Sequence, residues 1–171
     1  MKNLLLLILT VFTLTSCDKD DDKPKTELEK LPPATQTGAK TFGCLLDGVA
    51  FVPTKANGSS FYQYVNGYYF SLQGNMYVNK ELILLGLSTD NLKIEEGKTY
   101  ILQAKIDGNA SAKYFDDLPN RTTSTEKGEM TITKLDFTEH IVSGTFFYDI
   151  KDSKGVVHKI TNGRFDMPFT Q

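Results

Sequence analysis

Two cysteines and two histidines are the residues of this 171-residue sequence best suited to nucleophilic or metal chemistry: Cys17, Cys44, His140 and His158. A nucleophilic site needs a nucleophile, a base and an orienting acid in contact, and a transition-metal site needs several ligands together. The sequence has no Gly-x-Ser-x-Gly motif and no histidine cluster. We interpret both histidines as solvated and predict a protein that is not an enzyme and needs no cofactor.

Cys17 follows an apolar run, residues 4–14, which is broken only by two threonines. About 11 residues is the length of the apolar region of a secretory signal, and it is too short for a transmembrane helix. Leu14-Thr15-Ser16-Cys17 resembles the bacterial lipobox, in which the cysteine sulfur receives a diacylglycerol and a peptidase cleaves before the cysteine. The alternative is an ordinary secretory signal with an incidental cysteine. The resemblance implies a lipoprotein signal peptide at residues 1–16, lipidation of Cys17 with palmitate-type chains, and a membrane as partner.

A lipidated Cys17 leaves Cys44 without a partner for an intrachain disulfide. We therefore interpret Cys44 as a small buried side chain within a strand.

The segment that follows Cys17 is polar. Residues 17–39 contain three consecutive aspartates, several lysines and three prolines, and almost no apolar side chain. Such a composition buries too little surface to offset the entropy of ordering, so we predict a disordered acidic tether. The acidic residues beside Cys17 also resemble the surface-export signals of Bacteroidota lipoproteins. That resemblance implies an outer-membrane lipoprotein exposed at the cell surface, and a solvated linker is the alternative.

Residues 40–171 have the pattern of a single β domain. Asp47-Gly48 and Asn66-Gly67 each separate two apolar or aromatic runs, which predicts tight hairpins because a type I′ turn needs positive φ at both positions. Residues 81–88 are nearly all apolar and predict a strand buried on both faces. About nine or ten short strands follow from these signals, without helical periodicity. We predict an all-β fold, an antiparallel β-sandwich or a partly closed barrel.

Three further signals concern the last strands. The apolar alternation shifts register near Lys134, which predicts a bulge. Asn162-Gly163 predicts a bend before residues 164–169. Pro168 cannot donate a hydrogen bond to a neighbouring strand, so the last strand should end or lie at an edge there.

Several motifs resemble an uncharacterised lipoprotein family of the Bacteroidota, a domain of unknown function. They are Leu31-Pro32-Pro33-Ala34-Thr35-Gln36-Thr37-Gly38, Thr41-Phe42-Gly43-Cys44-Leu45, Gly48-x-x-Phe51-x-Pro53, Ser143-Gly144-Thr145-Phe146 and Ile160-Thr161-Asn162-Gly163-Arg164-Phe165-Asp166. The resemblance implies lipid anchoring and a β-rich domain, and it implies no catalytic residues.

Two groups of side chains are candidates for binding. Six aromatic residues flank the predicted Asn66-Gly67 hairpin, where cross-strand pairing would make them neighbours: Phe61, Tyr62, Tyr64, Tyr68, Tyr69 and Phe70. On an exposed face they could stack on a sugar or a peptide, and on a half-buried sheet they would serve packing. Asp116 and Asp117, in the longest predicted loop, residues 116–125, are candidates for Ca²⁺ ligands, and a solvated turn is the alternative.

A formal net charge of −2 gives the protein no electrostatic reason to bind nucleic acid. We predict a monomeric, lipid-anchored protein of the cell envelope that binds a glycan or an envelope protein, or has a structural role. The alternative is a glycan-active hydrolase that acts on an envelope or environmental polymer.

Overall fold

The computed structural model describes residues 24–54, 58–116, 119–123 and 126–170, and of residues 58–62 it describes only the backbone. Within these ranges the elements are a 3₁₀ turn at Leu28–Lys30 and the strands β1 (Thr41–Leu46), β2 (Val49–Phe51), β3 (Gly58–Val65), β4 (Tyr69–Val78), β5 (Glu81–Thr89), β6 (Thr99–Ile101), β7 (Ala110–Phe115), β8 (Pro119–Arg121), β9 (Gly128–Asp136), β10 (Ile141–Lys151) and β11 (Val157–Pro168).

The strands form two antiparallel sheets that pack face to face. The six-stranded sheet has the order β2-β1-β11-β10-β9-β6, and the five-stranded sheet has the order β3-β4-β5-β7-β8. Neither sheet closes into a barrel, so the prediction of an all-β sandwich is confirmed and the barrel alternative is wrong. The described residues form eleven strands, against the nine or ten predicted, and β8, with only three residues, lies in a segment that we predicted as a loop. In the described part of the chain, no helix is long and apolar enough to cross a bilayer.

The two predicted hairpin turns are confirmed. Asp47 and Gly48 have φ values of 52° and 84° between β1 and β2, and Asn66 and Gly67 have φ values of 53° and 70° between β3 and β4. Positive φ at both central residues matches the right-handed twist of the strands that the turn joins.

The predicted bend at Asn162-Gly163 is wrong, because β11 runs unbroken through this dipeptide. Gly163 pairs with Phe146 while Ile160 pairs with Tyr148, so β11 carries an extra residue at this point. The positive φ of Asn162, 53°, is thus absorbed in a bulge of a paired strand. The predicted bulge near Lys134 is confirmed by the register shift between β9 and β10, and β11 ends at Pro168 as predicted.

The core lies between the sheets and is rich in aromatic side chains. Its largest members with less than 2% exposure are Tyr64, Tyr148, Phe42, Phe51 and Phe70, together with leucines and isoleucines of both sheets. Cys44 is fully buried among them, and burial raises the pKa of its thiol, so the group stays protonated. Its interpretation as a small buried side chain is confirmed.

The N-terminal arm, residues 26–39, is the largest departure from the sequence prediction. We predicted disorder through residue 39, but in this arm Leu31 is only 7% exposed. Pro32 lies on Gly43 of β1, where an added Cβ would be 2.6 Å from the Cδ of Pro32. The amide of Ala50 donates to Glu27 at 2.8 Å. The folded unit therefore includes residues 26–39, whereas residues 17–23 lie outside the described residues.

A buried carboxylate on β11 holds the end of this arm. Asp166 is 1% exposed and accepts hydrogen bonds from Thr35 Oγ1 at 2.6 Å, Thr37 N at 2.9 Å, Gly38 N at 2.8 Å, Ala39 N at 3.2 Å and, from the neighbouring strand, Ser143 Oγ at 2.8 Å. Composition alone could not predict this order, because the acceptor lies about 130 residues along the chain from its donors.

Candidate functional site

The predicted aromatic cluster is divided between the two faces of the five-stranded sheet. Tyr64 and Phe70 are paired across β3 and β4 and point into the core, where each is 1% exposed. Tyr64 meets Phe169 edge to face at 6.2 Å between ring centroids, and Phe70 lies 6.1 Å from Phe165. The prediction that these two rings belong to a binding patch is wrong, because strand alternation puts them on the inner face.

Two rings of the cluster are exposed. Tyr69, on β4, is 44% exposed, and Tyr68, in the preceding turn, is 49% exposed. The side chains of Phe61 and Tyr62 lie outside the described residues. The predicted patch therefore contributes Tyr69 to the outer face of the sheet and Tyr68 to its end.

Beside Tyr69, the outer face of the five-stranded sheet has a hollow of about 210 Å³. We call the basic and aromatic lining of this hollow the cationic face; it consists of Tyr69, Lys105, Lys113 and Arg121. The remaining lining is mostly polar and includes Gln63, Ser71, Ser88 and Asp90. The hollow thus combines one exposed aromatic ring, three cations and several hydroxyl and amide groups.

The strand pairing brings the cations together. Lys113 of β7 is paired directly with Arg121 of β8. On its other side, Lys113 lies over Gly86 of β5, where an added Cβ would be 2.7 Å from the Cε of Lys113. The ammonium donates to Gln73 Oε1 at 2.8 Å, so the lysine lies flat across the sheet.

The charges of this face are not neutralised within the described residues. Burial lowers the pKa of the Lys113 ammonium, and the positive charges of Arg121 and Lys105 lower it further. Among the residues that the structure describes, none of the three cations forms an ion pair with a carboxylate. Three cations against the single carboxylate of Asp90 leave a positive charge excess among the described lining residues, which favours the binding of an anion.

Sequence reasoning missed this face because its basic residues lie on different elements. Arg121 falls in a segment that we predicted as a loop, and its strand, β8, has only three residues. The one available signal was the short run 112–115, whose pattern predicts a strand: Lys113 stands there between Ala112 and Tyr114, so its charged side chain must point away from the core.

Of the two calcium candidates, the structure describes only Asp116. Asp116 accepts a hydrogen bond from Asn120 Nδ2 at 3.5 Å, and Asp117 lies outside the described residues. Within the described ranges, no group of three or more His, Cys, Asp or Glu side chains is placed to hold a metal ion.

The two histidines have different environments. His140 is exposed in the turn between β9 and β10, as predicted, with its ring 5.4 Å from that of Phe169. The prediction of a solvated His158 is wrong, because its side chain is 17% exposed and its ring stacks on Tyr114 at 4.5 Å. Its Nδ1 lies 2.7 Å from Asp47 Oδ2. The imidazole is shielded from solvent by Tyr114, which lies 44 residues away in sequence and on the other sheet.

Comparison of the chain with protein-family models, with curated proteins and with solved structures finds no match.

Proposed function

We propose that this protein is a lipid-anchored binding protein of the cell envelope and that its cationic face binds an acidic glycan. The observation that carries the proposal is the placement of three cations without carboxylate partners around the exposed ring of Tyr69. The chain as a whole has a net charge of −2, so this concentration of positive charge is local to one face.

Each component of the face matches a part of such a ligand. The exposed ring of Tyr69 offers an apolar surface on which a sugar ring can stack. Arg121 can pair two of its N–H groups with a carboxylate, sulfate or phosphate, and the lysines supply less directional charge. Gln63, Ser71 and Ser88 offer hydrogen-bonding groups for sugar hydroxyls.

The glycan-active hydrolase hypothesis fits this face less well. Glycoside hydrolysis generally uses two carboxyl groups that flank the scissile bond. Of the described residues that line the hollow, only Asp90 carries a carboxylate. Binding without hydrolysis is therefore the function that we propose.

A direct test is the binding of dextran sulfate and of neutral dextran to the purified protein. We expect dextran sulfate to bind and its affinity to fall with added salt, because paired charges release counterions. Lys113→Gln combined with Arg121→Gln should weaken binding at least about tenfold, since each charge-assisted contact contributes about 1.5–3 kcal/mol. Tyr69→Ala should also weaken it.

The matched control removes the same charge elsewhere. Lys93 and Lys154 are exposed and lie outside the hollow, so Lys93→Gln combined with Lys154→Gln should leave the affinity within about twofold of wild type. Equal binding of neutral dextran, or equal losses in both double variants, would contradict the assignment of the cationic face.

The lipid anchor has a separate test. Cys17→Ser should abolish incorporation of labelled palmitate and leave the protein unprocessed or released from the membrane, because the thiolate is the group that is acylated. Cys44→Ser is the comparison, since Cys44 is buried in the core and should not affect labelling. Undiminished labelling of the Cys17 variant would refute the anchor.

If Cys17 carries lipid, the packed arm shortens the reach of the domain. Eight residues lie between Cys17 and Thr26, and the fully extended chain from one to the other spans at most about 30 Å. A tether through residue 39 would be more than twice as long. We therefore expect the cationic face to bind its ligand near the membrane surface.

A further inference from the structure

A second hollow, independent of the cationic face, lies at one end of the sandwich between the β1–β2 hairpin and the β4–β5 hairpin. This end cleft has a volume of about 490 Å³, within the usual range for small-molecule sites. Apolar side chains of both sheets form much of its lining: Leu46, Val49, Phe51, Val78 and Ile83.

A buried tyrosine with an unused hydroxyl lines the same cleft. Tyr114 is 5% exposed, and its hydroxyl makes no hydrogen bond to any residue that the structure describes. Its ring is held in place by stacking on His158, with an angle of 10° between the rings. His158 is held in turn by Asp47 on one side and by Asp152, 3.6 Å from Nε2, on the other. A hydroxyl that is held rigidly and makes no such hydrogen bond can bond to a ligand atom without a rearrangement of the protein.

Apart from the imidazole of His158, which lies between Asp47 and Asp152, the ionisable side chains of the described lining of the end cleft are acidic. Its lining includes the carboxylates of Asp47 and Glu81, with no lysine and no arginine among the described lining residues. Glu81 is exposed and forms no ion pair within the described ranges. Burial raises the pKa of Tyr114 to about 12, and the nearby carboxylates contribute to the rise, so the phenol stays neutral. This electrostatic environment favours a cation and disfavours an anion.

We propose that the end cleft binds a small amphiphilic cation, an ammonium group attached to an apolar body. The apolar body lies on Phe51 and Ile83, and the ammonium group donates to the Tyr114 hydroxyl and to the carboxylates of the rim. The end cleft shares no lining residue with the hollow of the cationic face, so the two binding proposals can be tested independently.

Three matched probes test the charge requirement. We would titrate the purified protein with 2-phenylethylamine, 3-phenylpropionate and 2-phenylethanol, which share the same apolar body, and follow saturation by NMR. The amine should bind about tenfold or more tightly than the other two, because only its head group meets the carboxylates as a charged donor. Equal binding of the three probes, or no saturable binding of the amine, would overturn the proposal.

Conservative variants locate the site. Tyr114→Phe keeps the stacked ring and removes only the hydroxyl, and Glu81→Gln removes only one charge. Each should weaken amine binding about three- to tenfold without lowering the melting temperature. Glu139→Gln, at an exposed turn at the opposite end of β10, is the control and should leave binding unchanged. Amine affinity that is unaffected by both cleft variants would place the binding elsewhere and refute the site.

Discussion

Asp166→Asn should destabilise the protein by about 3 kcal/mol, because it replaces a buried acceptor of several hydrogen bonds by a group that also donates. Thr37 N donates to Oδ2 and Gly38 N to Oδ1, so the amide nitrogen of asparagine would face at least one backbone N–H in either orientation. A buried donor would then be left without an acceptor. Urea unfolding of the variant and the wild type measures the difference.

The loss should be concentrated in the N-terminal arm. The amides of Thr37, Gly38 and Ala39 donate to Asp166, so their hydrogen exchange should accelerate in Asp166→Asn more than that of amides in β10. Asp149→Asn is the matched control, since Asp149 is on β10 and makes no side-chain hydrogen bond within the described residues. It should change the unfolding free energy by less than about 0.5 kcal/mol.

The acid dependence of stability provides an independent readout of the same carboxylate. Burial tends to raise the pKa of Asp166, but hydrogen bonds from Thr35, Thr37, Ser143 and Ala39 together outweigh it and lower the pKa from 3.8 to about 2. The folded pKa lies below the unfolded one, so this contribution is present above pH 4 and is lost as the pH falls through 2. It amounts to at most about 2.5 kcal/mol, and it should be absent in Asp166→Asn. An unchanged acid transition in the variant would contradict this role.

Gly144→Ala should destabilise the protein by about 3 kcal/mol through steric overlap in the six-stranded sheet. A Cβ at Gly144 would lie 2.4 Å from the carbonyl oxygen of Thr131 on β9 and 2.5 Å from Cζ of Phe165 on β11. Phe165 is 2% exposed and has little room to move. Because one contact is to backbone, relief requires that the strands shift.

A melting experiment measures this effect. The melting temperature of Gly144→Ala should fall by roughly 10 °C for a domain of this size. Thr145→Ser, at the next and exposed position of β10, is the control and should change stability by less than about 0.5 kcal/mol. A melting temperature of Gly144→Ala within about 2 °C of wild type would show that β9 and β11 yield easily at this position.

Local sequence was sufficient for the strands and their tight turns. The dipeptides Asp47-Gly48 and Asn66-Gly67 are sufficient by themselves to predict their turns, because few other dipeptides adopt positive φ at low cost. The alternation of apolar and polar residues along β9 and β10 likewise predicted both the strands and the bulge between them. These features depend on neighbours within a few residues, so they can be read from the chain alone.

At Asn162-Gly163, prediction of the structure from local sequence fails. The dipeptide has the same backbone preference as Asn66-Gly67, yet the chain continues as a strand, because β10 pairs with residues on both sides of it. The positive φ is satisfied equally by a turn and by a bulge. Pairing partners distant in sequence decide between the two.

The functional surfaces depended on long-range packing for the same reason. The order of the arm comes from Asp166, the cationic face from the placement of Tyr69 of β4 beside Lys113 and Arg121, and the cleft from stacking of His158 on Tyr114. Each joins residues whose separation in sequence carries no backbone signal. The sequence therefore predicted an all-β domain behind a lipidation motif, whereas the positions of its charged and aromatic groups required the contacts between strands and sheets.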